Sequence, residues 1–155
     1  MMKKFSILLT LLMVVLVAAG CSSSQPAALD VQQTADKLAQ EVSFQDQLTK
    51  MDQDAALKLY DLTADDVETA SLYVGTGATA EEISVWQGKD ADAAKKIQDA
   101  VNTRIENQKE SFVDYNPEEM PKLENPVVVA KGNYVVLCLS GDNENAKKII
   151  DGCFQ

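Results

Sequence analysis

Val127-Val128-Val129-Ala130-Lys131-Gly132-Asn133-Tyr134-Val135-Val136-Leu137-Cys138-Leu139 is the stretch on which the fold turns. Two runs rich in β-branched and aromatic residues flank Gly132-Asn133, a pair led by the glycine that a type II′ turn needs. The stretch therefore predicts a hairpin with strands over 127–131 and 134–139, the first opened by Pro126. Its second arm is the most apolar run of the domain, which predicts a central strand.

Upstream lies the clearest helix, Asp90 to Val113. Ala94, Ile97, Val101, Ile105, Gln108 and Phe112 share one face, Asp90 stands as the cap, and Tyr115-Asn116-Pro117 ends the run. Before it comes a second hairpin. Val67 to Val74 is β-branched and aromatic, Gly75-Thr76-Gly77 breaks it, and Glu82 to Gln87 alternates polar with apolar. Downstream, Asp142 or Asn143 caps a last helix that turns Ala146, Ile149, Ile150 and Cys153 inward. At the other end, Asp30 caps a first helix with Gln33 in capping-box position, and Val31, Ala35, Leu38 and Val42 form its stripe. Phe44, Leu48 and Met51 prolong a weaker helical rhythm. Asp54 heads a short turn carrying Ala56, Leu57 and Tyr60, and residues 118–125 read as a loop.

The order helix, hairpin, helix, hairpin, helix predicts an α+β domain with one four-stranded, mostly antiparallel sheet and helices on one face. Trp86 falls on the opposite strand face from Ile83 and Val85. If helices cover the latter, the indole either projects from the bare side, where Trp86 beside Tyr73 or Tyr134 makes a contact site for a protein or sugar, or lies partly buried under the first helix.

Ahead of the domain, Lys3-Lys4, the apolar run Phe5 to Val17 and Ala18-Ala19-Gly20-Cys21 have the layout of an export signal, too short for a spanning helix. The last four residues resemble the bacterial lipobox, with Ala18 in place of the usual leucine. The expected organisation is a signal peptide over 1–20, a tether over 21–28 and a single domain over 29–155. The resemblance implies a diacylglyceryl group on Cys21. Some thirty buried methylenes at ~0.8 kcal/mol each make that a permanent anchor on the extracytoplasmic face of the membrane. The Ser-rich tether reaches about 15 Å, which keeps the domain near the bilayer.

Of 14 basic and 24 acidic residues, the segment before Cys21 holds only two lysines, so the remainder is formally −12. That balance lacks the basic clusters nucleic acid requires. The chain has no histidine, which removes Ser-His and Cys-His catalysis and histidine-bound zinc. Asp61, Asp65, Asp66 and Glu68 lack the alternating ligand spacing and the glycine of a calcium loop, and Gly75-Thr76-Gly77 lacks the Lys-Ser/Thr of a phosphate loop. No cofactor or metal is expected. Cys138 and Cys153 lie offset along a strand and the helix folded back over it, which predicts two buried free thiols.

At Glu81-Glu82-Ile83, Arg104, Tyr115-Asn116-Pro117 and Gly132-Asn133-Tyr134 the chain resembles a family of small Gram-positive lipoproteins that share a domain of unknown function. The likeness runs from about Leu57 to the C-terminus. It supports an anchored single domain and transfers no catalytic residue.

Arg104 is the only arginine. Placed beside an apolar stripe, its five-donor fork either grips a ligand or ties the helix to Glu81, Glu82 or the acidic loop after Pro117. Lys95, Lys96, Lys147 and Lys148 sit toward water. The expected role is a non-enzymatic binding or accessory module with an unknown protein or small-molecule partner. The alternatives are a carboxylate- or lysine-dependent envelope hydrolase, with a deep pocket, and a structural subunit, with a broad apolar patch.

Overall fold

The structure is a computed structural model and describes residues 27–155; the expected signal segment, Cys21 and most of the expected tether lie outside the described residues. The decisive hairpin forms where its sequence places it. β4 (Val127–Lys131) and β5 (Tyr134–Leu139) run antiparallel with Lys131 opposite Tyr134. Gly132 turns the chain at φ +59°, a value any side chain would resist. β2 (Val67–Val74) and β3 (Glu82–Gly88) form the second hairpin, and β3 pairs antiparallel with β5, which joins the two into one sheet.

Two features of the expected architecture are overturned. The sheet has five strands in the order β1-β2-β3-β5-β4, not four. The additional strand, β1 (Thr49–Met51), pairs antiparallel with β2, Thr49 opposite Val74. Phe44, Leu48 and Met51 are spaced as on a helix, but the otherwise open edge of β2 captures the backbone of 49–51, and tertiary pairing overrides a weak local period. β3 is consequently the middle strand, and 134–139 lies one in from the edge.

Helices also cover both faces of the sheet, not one. α1 (Val31–Glu41) and α5 (Asn143–Cys153) pack on the face carrying Ile83, Val85, Val136 and Cys138. α2 (Gln53–Leu59), α3 (Ala91–Tyr115) and α4 (Met120–Glu124) pack on the face carrying Leu72, Trp86, Val135 and Leu137. The cause is legible in β5, whose residues Val135 to Leu139 are all buried. A strand apolar at both parities needs cover on both sides. Residues 118–125, expected as a loop, are mostly helical: a 3-10 turn (Pro117–Glu119) runs into α4, which ends at Glu124. Pro117 at the first position of that turn starts it as readily as it stops α3.

α3 sets the position of everything on its face. Asp90 accepts the Ala93 N–H at 2.8 Å as its cap. Ile97, Val101, Ile105 and Phe112 then form the buried stripe. Gly88 ends β3 so close to this helix that a Cβ there would stand 2.7 Å from Ala94 N. α3 runs upward from that contact to Asn116, whose Nδ2 donates to Ala78 O in the β2–β3 loop at 3.3 Å.

Candidate functional site

Two adjacent glutamates at the start of β3 organise the end of the sheet that meets this loop. Successive residues of an extended chain point to opposite sides, so the two carboxylates serve different neighbours.

Glu82 is buried at 1% exposure against α2 and α3. Its Oε2 accepts from Arg104 Nη2 at 2.7 Å, Arg104 Nε at 3.2 Å and Gln108 Nε2 at 3.2 Å, and its Oε1 accepts from the Tyr60 hydroxyl. The phenol has one proton, directed at Glu82, so the Ser84 hydroxyl 3.0 Å from the phenol oxygen is the donor there. Burial, then the charge of Glu82, pushes the Tyr60 phenol well above its ordinary range. Burial works against the Arg104 charge, but its bonds to Glu82 prevail and hold the guanidinium protonated.

Glu81 is equally buried and accepts the backbone N–H groups of Gln45 and Asp46, both at 2.8 Å to Oε2. Lys122 Nζ stands 3.0 Å from Glu81 Oε1, 2.9 Å from Glu119 Oε2 and 3.2 Å from Gln45 Oε1, which occupies its three protons. Glu119 Oε2 also accepts Ala80 N–H at 2.9 Å. The loop above is tied down by Asp46 Oδ2, which takes Thr76 N–H at 2.7 Å and the Thr76 hydroxyl at 2.8 Å. Those Thr76 bonds hold the Asp46 carboxyl below its usual range.

Between this loop and α3 opens a groove of about 230 Å³, with Gly75, Gly77 and Thr79 on one side, Arg104, Gln108 and Phe112 on the other, and Glu81 and Glu82 in its lining. Arg104 spends Nε and Nη2 on Glu82, and Nη1 has no partner among the described residues. Gln108 is 7% exposed, yet its Oε1 also has no partner and is not sealed from solvent. Tyr115, exposed at 68%, continues the same line of α3 beyond Phe112, with the two rings edge-to-face at 5.9 Å.

The structure separates the residues expected at two contact sites, Arg104 at the helix edge and Trp86 with Tyr73 or Tyr134 on a bare sheet face. Arg104 alone lines the groove. Trp86 does not project from a bare face: it is 0% exposed, edge-to-face with Tyr60 at 4.9 Å, because α2 and α3 cover its side of the sheet. Its indole N–H has no partner among the described residues. Tyr73 lies under α1, where its hydroxyl donates to Asp36 Oδ1 at 2.6 Å at the edge of a shallow depression of about 620 Å³. Burial, then Asp36, pushes the Tyr73 phenol up to about 12. Tyr134 sits at the opposite end of the sheet, edge-to-face with Phe154 at 6.2 Å.

Among the described residues Cys138 and Cys153 form no disulfide; Cys138 is buried, as expected, whereas Cys153 is half-buried. The acidic loop binds protein: Asp66 takes Lys96 Nζ at 2.7 Å. Among the described residues no group of His, Cys, Asp or Glu is arranged to hold a metal, and no helix is long and apolar enough to cross a membrane.

Glu81 and Glu82 were visible in the sequence as tie partners for Arg104. Lys122, Glu119 and Tyr60 were not, since a lysine in a presumed loop gives no sign of burial. Gln108 carried a signal: an amide on an otherwise apolar stripe needs a partner inside.

Residues 40–140 match the family described as a domain of unknown function, DUF4358, and the chain belongs to that family. The match starts ahead of the likeness at Leu57 and stops before α5, so it takes in both hairpins, α2, α3 and the whole glutamate site. No curated protein and no solved structure matches the chain.

Proposed function

We propose that this member of a family without assigned activity is a lipid-anchored, extracytoplasmic binding module, in the manner of the small Gram-positive lipoproteins it resembles, and that the Arg104 groove is its contact site. One observation carries the reading: the groove and the point where the chain enters the domain lie at opposite ends of the sheet. Ala27 rests against Gly132, about 3.5 Å from where a Cβ would stand, and Ala28 O accepts Gln155 N–H at 3.0 Å. That end also holds the close of β3, where Gly88 N–H donates to Asn133 O at 2.7 Å. Glu82 begins the same strand, six residues or about 20 Å away. An anchor on Cys21 would leave the groove facing outward.

The chemistry at the groove favours binding over turnover. A general base has to reach a substrate proton, and a nucleophilic lysine needs an unshared electron pair. Both oxygens of Glu82 and of Glu81 accept hydrogen bonds, and the protons of Lys122 are all directed at acceptors. The structural-subunit reading has less support, because among the described residues the exposed large apolar side chains are only Val113 and Tyr115.

Membrane fractionation with mass spectrometry of the N-terminus tests the anchor. The expected result is an acylated Cys21 at the mature N-terminus, with a Cys21→Ala variant released to the soluble fraction. An intact, unmodified N-terminus in the cytosol refutes it, and reproducible hydrolysis of an envelope substrate by the purified protein refutes the binding role.

A further inference from the structure

We propose that the groove recognises a primary carboxamide, a side chain or chain end of the form –CO–NH2; this rests on the binding reading above and specifies its ligand. Three observations converge. Arg104 and Gln108 are four apart on α3 and therefore neighbours on one face. Both are held by the same atom, Glu82 Oε2, at 2.7 Å and 3.2 Å. Because a carboxylate accepts only donors, the contact fixes the Gln108 amide with Nε2 inward and leaves Oε1 as a free acceptor. The Arg104 fork, engaged through Nε and one Nη2 proton, leaves its other three N–H groups, the Nη1 pair among them, as donors. The groove thus presents Arg104 donors and a Gln108 acceptor on a rigid backing.

The charge of the walls decides between the ligands that Arg104 alone would admit. A bare guanidinium prefers a carboxylate. Here Glu82 already neutralises it at 2.7 Å. An anion would meet the Glu82 carboxylate and the Gln108 oxygen, whereas a neutral group with adjacent acceptor and donor meets complements. A primary carboxamide presents its carbonyl oxygen and its syn N–H on one edge: the oxygen accepts from Arg104 Nη1 and the N–H donates to Gln108 Oε1. A trans secondary amide points these two groups in opposite directions and fits one at a time. The volume of about 230 Å³ holds the head group and a short stem, not a polymer.

The test uses the full chain in detergent micelles and three matched probes: propanamide, propanoate and N-methylpropanamide. The Gln108 side-chain NH2 and Arg104 Nε–H signals are followed by nitrogen-proton NMR. Propanamide is expected to shift both, with an affinity about tenfold above each of the other probes, the value of one well-made hydrogen bond to a charged group. Arg104→Lys and Gln108→Met should each remove that preference while the backbone spectrum stays dispersed. Equal or tighter binding of propanoate would overturn the proposal in favour of a plain anion site. Unmoved signals with every probe would overturn it outright. The comparison of probes on the unaltered chain needs no variant, and neither failure touches the Cys21 experiment, which tests the anchored module separately.

Discussion

Replacing Arg104 with methionine asks whether the site is an interior ion pair or a solvated one. The methionine fills the aliphatic stem of the arginine and removes the fork. Glu82, at 1% exposure, then keeps the Tyr60 hydroxyl and Gln108 Nε2 as donors but loses its only cation and two hydrogen bonds of 2.7 Å and 3.2 Å. Stranding a buried charge costs ~3–5 kcal/mol, and the two surviving donors put this case near ~3 kcal/mol. On a domain of this size that is a large part of the total stability and lowers Tm by about 10 °C. Urea unfolding followed by Trp86 fluorescence reads it directly, since the only tryptophan packs on Tyr60 at 4.9 Å. Arg104→Met with Glu82→Leu should recover ~1–2 kcal/mol of the loss, because no charge is left unpaired. A single-variant cost below ~0.5 kcal/mol, the range of surface pairs, would refute the reasoning. So would a double variant less stable than Arg104→Met.

Other consequences follow from the same geometry. Lys122→Met leaves Glu81 and Glu119 facing each other without their shared cation and should cost ~3–5 kcal/mol in the same urea assay, whereas exposed Lys95→Met should stay within ~0.5 kcal/mol. Tyr73, with its phenol raised to about 12 in the fold, contributes stability that is complete below its unfolded pKa of about 10 and is lost as pH climbs through 12. Absorbance titration at the phenolate band should show that step, and Asp36→Asn should move it downward. In a Cys21→Ala background at pH 8, a thiol reagent should label Cys153 promptly and Cys138 only on unfolding, since burial raises the Cys138 thiol to about 12. Gly88→Ala should destabilise by ~2 kcal/mol, because its Cβ would stand 2.7 Å from Ala94 N and a backbone contact has little room to give.

What could be read from the residues was local in origin. Both hairpins, α3 and α5 carry their periods in their own sequence and appear within a few residues of the expected bounds, although Asp142 stands at the N-cap of α5 without a side-chain capping bond. β1 is missing from that reading because three residues, Thr49–Met51, hold no period of their own and exist as a strand only against β2. The single covered face fails for a different reason. The alternation in β3 suggests one bare face, but β5 is apolar at both parities, which requires cover on both sides and places Trp86 inside. The tie between Arg104 and Glu82 was legible because a lone arginine beside an apolar stripe has few partners of the right sign. The Lys122 cluster was not, since it joins residues 45, 81, 119 and 122, and no local pattern announces such a meeting.

The two glutamates also explain why this end of the sheet suits recognition. Glu82 fixes α3 to β3 and, through Tyr60, to α2; Glu81 fixes the segment after α1 and, through Lys122, α4. Five parts of the chain are therefore referenced to one dipeptide, and the groove walls are held from both sides of the strand. Buried ion pairs are poor sources of net stability compared with apolar packing of the same volume, so stability alone gives little reason for two of them side by side. They do hold polar groups in one orientation at a surface opening, and an Arg104 donor and a Gln108 acceptor that need not reorganise lose less freedom when a ligand arrives. On that argument Glu82→Gln should harm recognition out of proportion to its size. The carboxamide would keep its oxygen toward Arg104 and Gln108 and turn its NH2 to the Tyr60 oxygen, so the negative charge that fixes both groups is lost and the donor and acceptor are held less firmly even where the fold survives.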